Sequence, residues 1–447
     1  MTMRVSTGMI FEAGVNAINK QTSTLIHTQQ QVASGRRNLV PSDDPVAAAR
    51  ALEVTQAKDI TAQYSSNQDS ASSTLGLAES NLSSANDLLT RVKVLAIQGA
   101  NGTLTNTDRT SIATELRARF DELVGIANST DGTGLYLFSG YQGGSKPFSG
   151  SVSTGVVYSG DDGQRRQQVS SSRQIEISES GNAVFNRVVN GNGYFATTYA
   201  SNVNTLAANT GTGVIDVGAV SDPVKWNSAS NSGNLKVNFW VDAAGVAGPA
   251  NTTYYDLVDA STGNSLFTGG ASATGAGGTY THAYTSGQAI NFSGLNAAYV
   301  PYADFGASVT ITGAPADGDS FSVNKSSSQD MFTTLSNLIN TLENASNGTP
   351  AGAAKFATDM GSALQNLDQA SQNILTVRAG IGSRLNEVDS LKLVNSDLDI
   401  QYNQTLSNLQ DLDYAKTITD LTRGQTQLQA SQQSFAKVSQ LSLFNYL

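Results

Sequence analysis

The stretch Ser34–Leu52, "SGRRNLVPSDDPVAAARAL", is a break between two helices, written in punctuation residues. Gly35 follows a helical pattern and suits the left-handed conformation that ends a helix. Asp44 is a strong N-cap, and Pro45 fits the first helical position, where a missing N–H costs nothing. Pro41 and Ser42 turn the chain, and Asp43 adds negative charge beside the positive end of the following helix dipole. Arg36 and Arg37 suit the negative end of the preceding one.

Upstream of the break, Phe11, Val15, Ile18, Thr22, Leu25, Gln29 and Val32 alternate spacings of four and three, a weak heptad stripe. Downstream, Pro45 to about Ala100 reads as a long Ala- and Leu-rich helix, interrupted at Asn101-Gly102. Thr107 or Asp108 then opens another helix, with Ile112, Leu116, Phe120, Leu123 and Ile126 on one face. The far end of the chain mirrors the beginning. Val388, Leu391, Asn395, Leu398, Tyr402, Thr405, Leu409 and Leu412 form a second heptad stripe, and Leu421, Leu428 and Phe435 continue it in a shifted register. The last residues, "LSLFNYL", are apolar.

Between these ends, roughly 135–327, the period changes to two. "NLKVNFWVD" (Asn234–Asp242) puts Leu235, Val237, Phe239 and Val241 on one face. Tyr254–Asp259 and Ser265–Gly269 flank the turn "ASTG" as a hairpin, and "GASVTITGAPADGDSFSV" supplies two more strands. Gly269–Gly278 reads as a loop. The fold class is therefore α+β: N- and C-terminal segments form a long helical bundle or coiled coil, with a β-rich domain inserted between them.

Two stripes so rich in Gln, Thr, Asn and Ser bury too little surface to offset their ordering entropy alone. They either pair within one chain or stay loose until they order against neighbouring subunits.

Composition excludes much chemistry. The 447 residues contain no Cys and two His, with net charge −10. Disulfides and thiol metal sites are out, and anionic nucleic acid or membrane is a poor partner. No phosphate loop, nucleophile elbow, zinc-protease or calcium-loop motif occurs, so no catalytic residue, cofactor or metal ligand is expected. His27 and His282 read as ordinary surface or satisfied residues, and Asp43/Asp44, Asp161/Asp162 and Asp317/Asp319 as capping and turn residues. The N-terminus lacks the apolar core of a secretory signal, and no run of residues is long and apolar enough to span a membrane.

Several segments resemble the flagellin superfamily: "MRVSTGMIF", "SGRRNLVPSDDPVAAARAL", "GSRLN" at Gly382–Asn386, and the C-terminal helix. "LYLFSGYQGGSKPF" (Leu135–Phe148), "YSGDDGQRRQQV" (Tyr158–Val169), "GDSFSVNKSSSQDMFTTLSNLINTL" and the ending "LSLFNYL" are similar to its hook-associated branch. The likeness covers about 1–185 and 310–447; Val46-Ala47 stands where flagellins have Ala-Gly.

The resemblance implies an architecture. Segments 1–42 and 405–447 would be axial coiled-coil helices ordered on assembly, 43–145 and 328–404 a helical rod, and 146–327 an outer β-rich domain of one or two modules. Axial contacts would come from Phe11, Val15, Ile18, Leu25, Val32, Leu428, Phe435, Val438, Leu441, Leu443, Phe444 and Leu447. Gly35, Pro41, Ser42, Asp43, Asp44 and Pro45 would form the spoke between axial helix and rod.

The implied function is structural and extracellular: an adaptor joining flagellar hook to filament, with no enzymatic activity. It would touch the first hook-associated protein, flagellin and copies of itself in a ring. A cytoplasmic chaperone would cover its C-terminal helix before export, without a cleaved signal, through the flagellar type III apparatus. Flagellin itself and the first hook-associated protein remain alternatives. More remote are an extracellular enzyme or an adhesin carrying a β domain.

Overall fold

The computed structural model describes residues 7–275, 278–296, 303–345 and 348–440. Seven α-helices occur among them: α1 (Thr7–Ser34), α2 (Pro45–Gly99), α3 (Asn106–Ala127), a single turn α4 (Pro223–Trp226), α5 (Met331–Glu343), α6 (Pro350–Gln410) and α7 (Tyr414–Gln440). The chain divides into two compact units, and α2 and α6 each contribute to both.

The first unit comprises 1–69, 168–173 and 388–447. Here the starts of α2 and the end of α6 are linked by polar contacts. Lys58 Nζ donates to Asn403 Oδ1 at 2.6 Å, and Lys392 pairs with Asp69 at 2.9 Å. Buried Gln68 donates to the Val169 carbonyl at 2.7 Å, tying in the short segment 168–173.

The second unit, 70–167 and 174–387, holds the apolar core. Leu82, Leu89 and Val92 of α2, Leu116, Phe120 and Leu123 of α3, Leu335 and Leu338 of α5, and Leu367 and Ile374 of α6 are all buried. Phe332 of α5 meets Phe120, Phe148 and Phe185 with ring centroids 5.3–6.1 Å apart. Helix α3 begins at Asn106, slightly before the Thr107 or Asp108 that the sequence suggests. Thr105 is the cap and Asp108 the third helical residue, each bonding the other's backbone in a capping box. Arg109, fully buried, donates to the Gly99 and Asn101 carbonyls, satisfying the end of α2, and its guanidinium lies 4.7 Å from the Phe356 ring centroid.

The inserted β region is a sandwich. Strands Thr252–Asp259, Asn234–Asp242, Ser320–Lys325 and Phe195–Tyr199 are successive antiparallel neighbours in one sheet, with Asn264–Ser265 and His282–Ala283 along its edge. A second sheet centres on Asp304–Thr312, flanked by Ala289–Ser293 and by Val214–Ile215 and Ala219–Val220. Val237, Phe239, Phe321 and Val323 from the first sheet and Ile290, Phe292, Val309 and Ile311 from the second share one core with Trp226 of α4. Leu235, Val237 and Phe239 point inward as period two requires; Val241 at the strand's end is only half-buried. The 260–263 turn closes a hairpin in the register Val258↔Ser265, with Gly263 at φ 74°. The two strands of "GASVTITGAPADGDSFSV" do not pair with each other; the turn between them carries the chain from one sheet to the other.

The turn carboxylates behave as such. Asp161 accepts from Tyr141 N and Gly163 N, and Asp319 from Thr210, Gly211 and Ala316 N.

Candidate functional site

Two features of the first unit concentrate the residues singled out by the sequence: a joint where two helices break together, and the helix pair beyond it.

The break after α1 is built as its residues dictate. Gly35 takes φ 69° and its N–H bonds Gln31 O at 2.9 Å, closing the helix. A Cβ there would lie 2.9 Å from the Tyr414 hydroxyl. Pro45 opens α2, and Asp44 caps it by accepting from Ala47 N at 2.9 Å. Asp43 does a further job beyond the one its position suggests. Its carboxylate turns back into the loop and accepts from Leu39 N at 2.9 Å and Val40 N at 3.1 Å, with His27 Nε2 3.4 Å away. The N–H bonds of Val40 and Leu39, with a smaller contribution from His27, hold its pKa below the usual carboxylate value.

A second break lies directly against the first. Helix α6 runs unbroken through 404/405, the expected boundary between rod and axial segments, and stops at Gln410. Asp413 caps α7 by accepting from Lys416 N at 3.1 Å. Leu412, expected on a continuous helical stripe, lies in the gap. Asp413 supplies the missed signal: an N-cap residue immediately before a helical run. The gap also explains the shifted register of Leu421, Leu428 and Phe435.

The two breaks are stitched together by backbone. Arg37 N donates to Gln410 O at 2.8 Å, Leu412 N donates to Gly35 O at 3.0 Å, and Arg36 and Asp411 form an antiparallel bridge. The Arg37 guanidinium donates to Leu409 O at 3.2 Å. It therefore serves the carbonyl end of α6 rather than that of its own helix.

Beyond the joint, α1 and α7 run antiparallel within one chain. Phe11 meets Phe435 with ring centroids 4.9 Å apart, Leu25 lies level with Gly424, and Gly35 level with Tyr414. Gly14 permits this approach: a Cβ there would fall 2.7 Å from the Phe435 ring. On α7 the half-buried positions are 417, 421, 424, 428, 431 and 435, alternating steps of four and three. Val15, Ile18, Leu25 and Val32 are the matching half-buried apolar residues of α1, whereas Gln29 is exposed. Yet no described residue of either helix is buried. Phe11 and Val438 are each 53% exposed, Val438 lying three residues past Phe435 along the same stripe. Leu441, Leu443, Phe444 and Leu447 lie outside the described residues.

Comparison with known proteins reports on both ends of the chain. The bacterial flagellin N-terminal helical region matches residues 5–143, and the bacterial flagellin C-terminal helical region matches residues 364–447. The chain is 26% identical to flagellar hook-associated protein 3 of Escherichia coli over 99% of both chains. The crystal structure of the flagellar junction protein from Legionella pneumophila superposes with a TM-score of 0.67, at 27% identity, covering 81% of this chain and 100% of that one. Flagellin 1 of Proteus mirabilis is 30% identical over 31% of this chain and 38% of its own length.

Proposed function

The chain belongs to the flagellin superfamily, and we propose that it is a junction subunit of the bacterial flagellum, a structural adaptor joining hook to filament. The full-length likeness to a hook-associated protein, against a partial likeness to flagellin, favours this over a filament subunit. The single observation that carries the mechanism is the terminal helix pair. Its heptad faces meet, yet no described residue is buried. Fully burying one large apolar side chain is worth about 1.5–3 kcal/mol. Phe11, Ile26, Ile418 and Val438 are all about half exposed or more, so most of that gain is still to be realised. Neighbouring subunits supply the missing cover. The pair thus forms the axial layer, and the stitched breaks at 35–44 and 411–413 form the spoke that carries both strands of the chain out of it together.

The neighbours in this reading are the first hook-associated protein on one side, flagellin on the other, and copies of this chain in a ring. The subunit reaches its place through the flagellar export apparatus, with a cytoplasmic chaperone on α7 until then.

Deleting the gene and imaging cells and medium tests the role. Hooks without filaments, with flagellin free in the medium, are the expected result. Normal filaments on the deletion strain would refute it. Flagellin, the second reading, predicts instead that the purified chain polymerises alone into long filaments.

A further inference from the structure

A cleft of about 440 Å³ opens in the second unit where the two sheets of the sandwich part, between edge strands His282–Ala283 and Ala289–Ser293. One wall is aromatic. Phe267 and His282 stack with ring centroids 4.0 Å apart, and Tyr255 lies 5.5 Å from His282 and 6.2 Å from Phe267. Tyr284 closes the floor; its hydroxyl donates to the Ile311 and Gly313 carbonyls, which fixes the ring. Gln288, Asn291 and Ser293 also line the cleft. Among the described residues, the Tyr255 hydroxyl and the Gln288 and Asn291 side-chain amides bond no protein group and are free for a ligand. Among the described residues, no Asp, Glu, Lys or Arg lines the cleft. Burial holds His282 below the ordinary imidazole value, so the aromatic wall is uncharged at neutral pH.

The wall is held in place from the opposite face of the sheet. Asp256, fully buried, accepts from Ser265 Oγ at 2.6 Å, Thr279 Oγ1 at 2.6 Å and Ser272 Oγ at 2.7 Å. Ser265 Oγ in turn accepts from Phe267 N at 3.2 Å, and Thr279 lies three residues before His282. One carboxylate thus anchors both segments that carry the stacked rings. Three hydroxyl donors and no cation make this an arrangement for positioning, not for holding a charged ligand.

We propose that this cleft is a binding site for a neutral carbohydrate, a sugar ring lying against the Phe267–His282–Tyr255 wall while its hydroxyls bond the Gln288 and Asn291 amides. An aromatic lining beside a few uncharged groups that both donate and accept matches a pyranose, which is apolar on its ring faces and hydroxylated at its rim. An anion or cation would find no countercharge. The inference stands apart from the assembly role, since no residue of α1, α7 or the joint takes part.

Saturation-transfer NMR on the full chain, with cellotriose, maltotriose and chitotriose as probes, tests it. At least one trisaccharide should receive transfer. Phe267→Ala should weaken that binding at least tenfold, and Asn291→Ala by several-fold. Asn291 is exposed and its side chain bonds no protein group among the described residues, so its variant keeps the fold even where Phe267→Ala does not. No transfer to any of the three sugars would overturn the proposal. So would transfer undiminished in Asn291→Ala. The edge strand Ala289–Ser293 also offers unpaired backbone, so an uncharged hexapeptide is the competing probe. Binding of that peptide, displaced by none of the sugars, would assign the cleft to strand addition instead.

Discussion

The sandwich and the terminal helix pair answer the same physical demand in opposite ways. In the sandwich, Phe239, Phe321 and Val323 have no solvent exposure, and the two sheets close over their own core. In the pair α1 and α7, equally periodic sequence produces half-buried residues and nothing more. A module that completes its core needs no neighbour. A module that leaves its stripe half open is stable in full only when something else covers it. The difference separates what folds from what assembles.

The sharpest way to break that comparison is to remove a large side chain from each. Phe321→Ala deletes a ring packed 5.0 Å from Tyr199 and 5.9 Å from Phe239. Its loss should cost about 3–5 kcal/mol. Thermal unfolding followed by near-ultraviolet circular dichroism should show a large drop in midpoint. If the midpoint stayed put, the sandwich would not be the self-sufficient half of the molecule.

The joint comes next. Gly35→Ala places a Cβ in the left-handed region and 2.9 Å from the Tyr414 hydroxyl. The strain is worth roughly 1–2 kcal/mol. Hydrogen exchange should quicken at Arg37 and Leu412, whose amides cross the joint, while the sandwich amides are unchanged. Protection equal to wild type at those two amides would mean the two breaks are not coupled.

Much of this was legible in the sequence, for identifiable reasons. Gly35, Asp44 and Pro45 act locally, through their own backbone preferences, so their roles could be read from one stretch. The α3 face was written in apolar residues at helical spacing, Ile112, Leu116, Phe120 and Leu123, all buried. What escaped depends on contacts distant in sequence. Arg37 serves a carbonyl 372 residues away, and Arg109 is buried because α2 ends beside it. The loop bonds of Asp43 escaped because an Asp before a helix suggests a dipole role, and only the position of Leu39 and Val40 shows the clamp as well. The aromatic cleft was invisible because Tyr255, Phe267 and His282 lie on three separate segments brought together by strand pairing.

Phe435→Ala, on the other side of the comparison, should cost the isolated chain less than Phe321→Ala, about 1–2 kcal/mol, because the ring is only partly buried. Its effect should appear in assembly. We expect normal monomer melting and normal appearance in the medium, but failure to support filaments on a deletion strain. A variant that supports normal filaments would show that the Phe11–Phe435 contact is not part of the axial layer. A variant that melts as badly as Phe321→Ala would erase the distinction between the two regions.

The smallest effect should be the pH response of the joint. The pKa of Asp43 is lowered in the folded chain because its charged form accepts from Val40 and Leu39 N–H. A depressed carboxylate contributes stability above its unfolded value, about 3.9, and loses it as pH falls through the folded value. The joint should therefore be indifferent to pH near neutrality and loosen only in acid, below about pH 4. Leu39 and Val40 amide chemical shifts, followed by NMR titration, should move together in that range. Asp43→Asn should abolish the transition while leaving the Asp44 cap, and hence the Ala47 amide, as it was. Asp43 is exposed enough that water competes for its oxygens, so global melting should barely register the change. A transition centred near neutral pH would show that the Asp43 carboxylate, and the backbone bonds it gathers, do not set the joint.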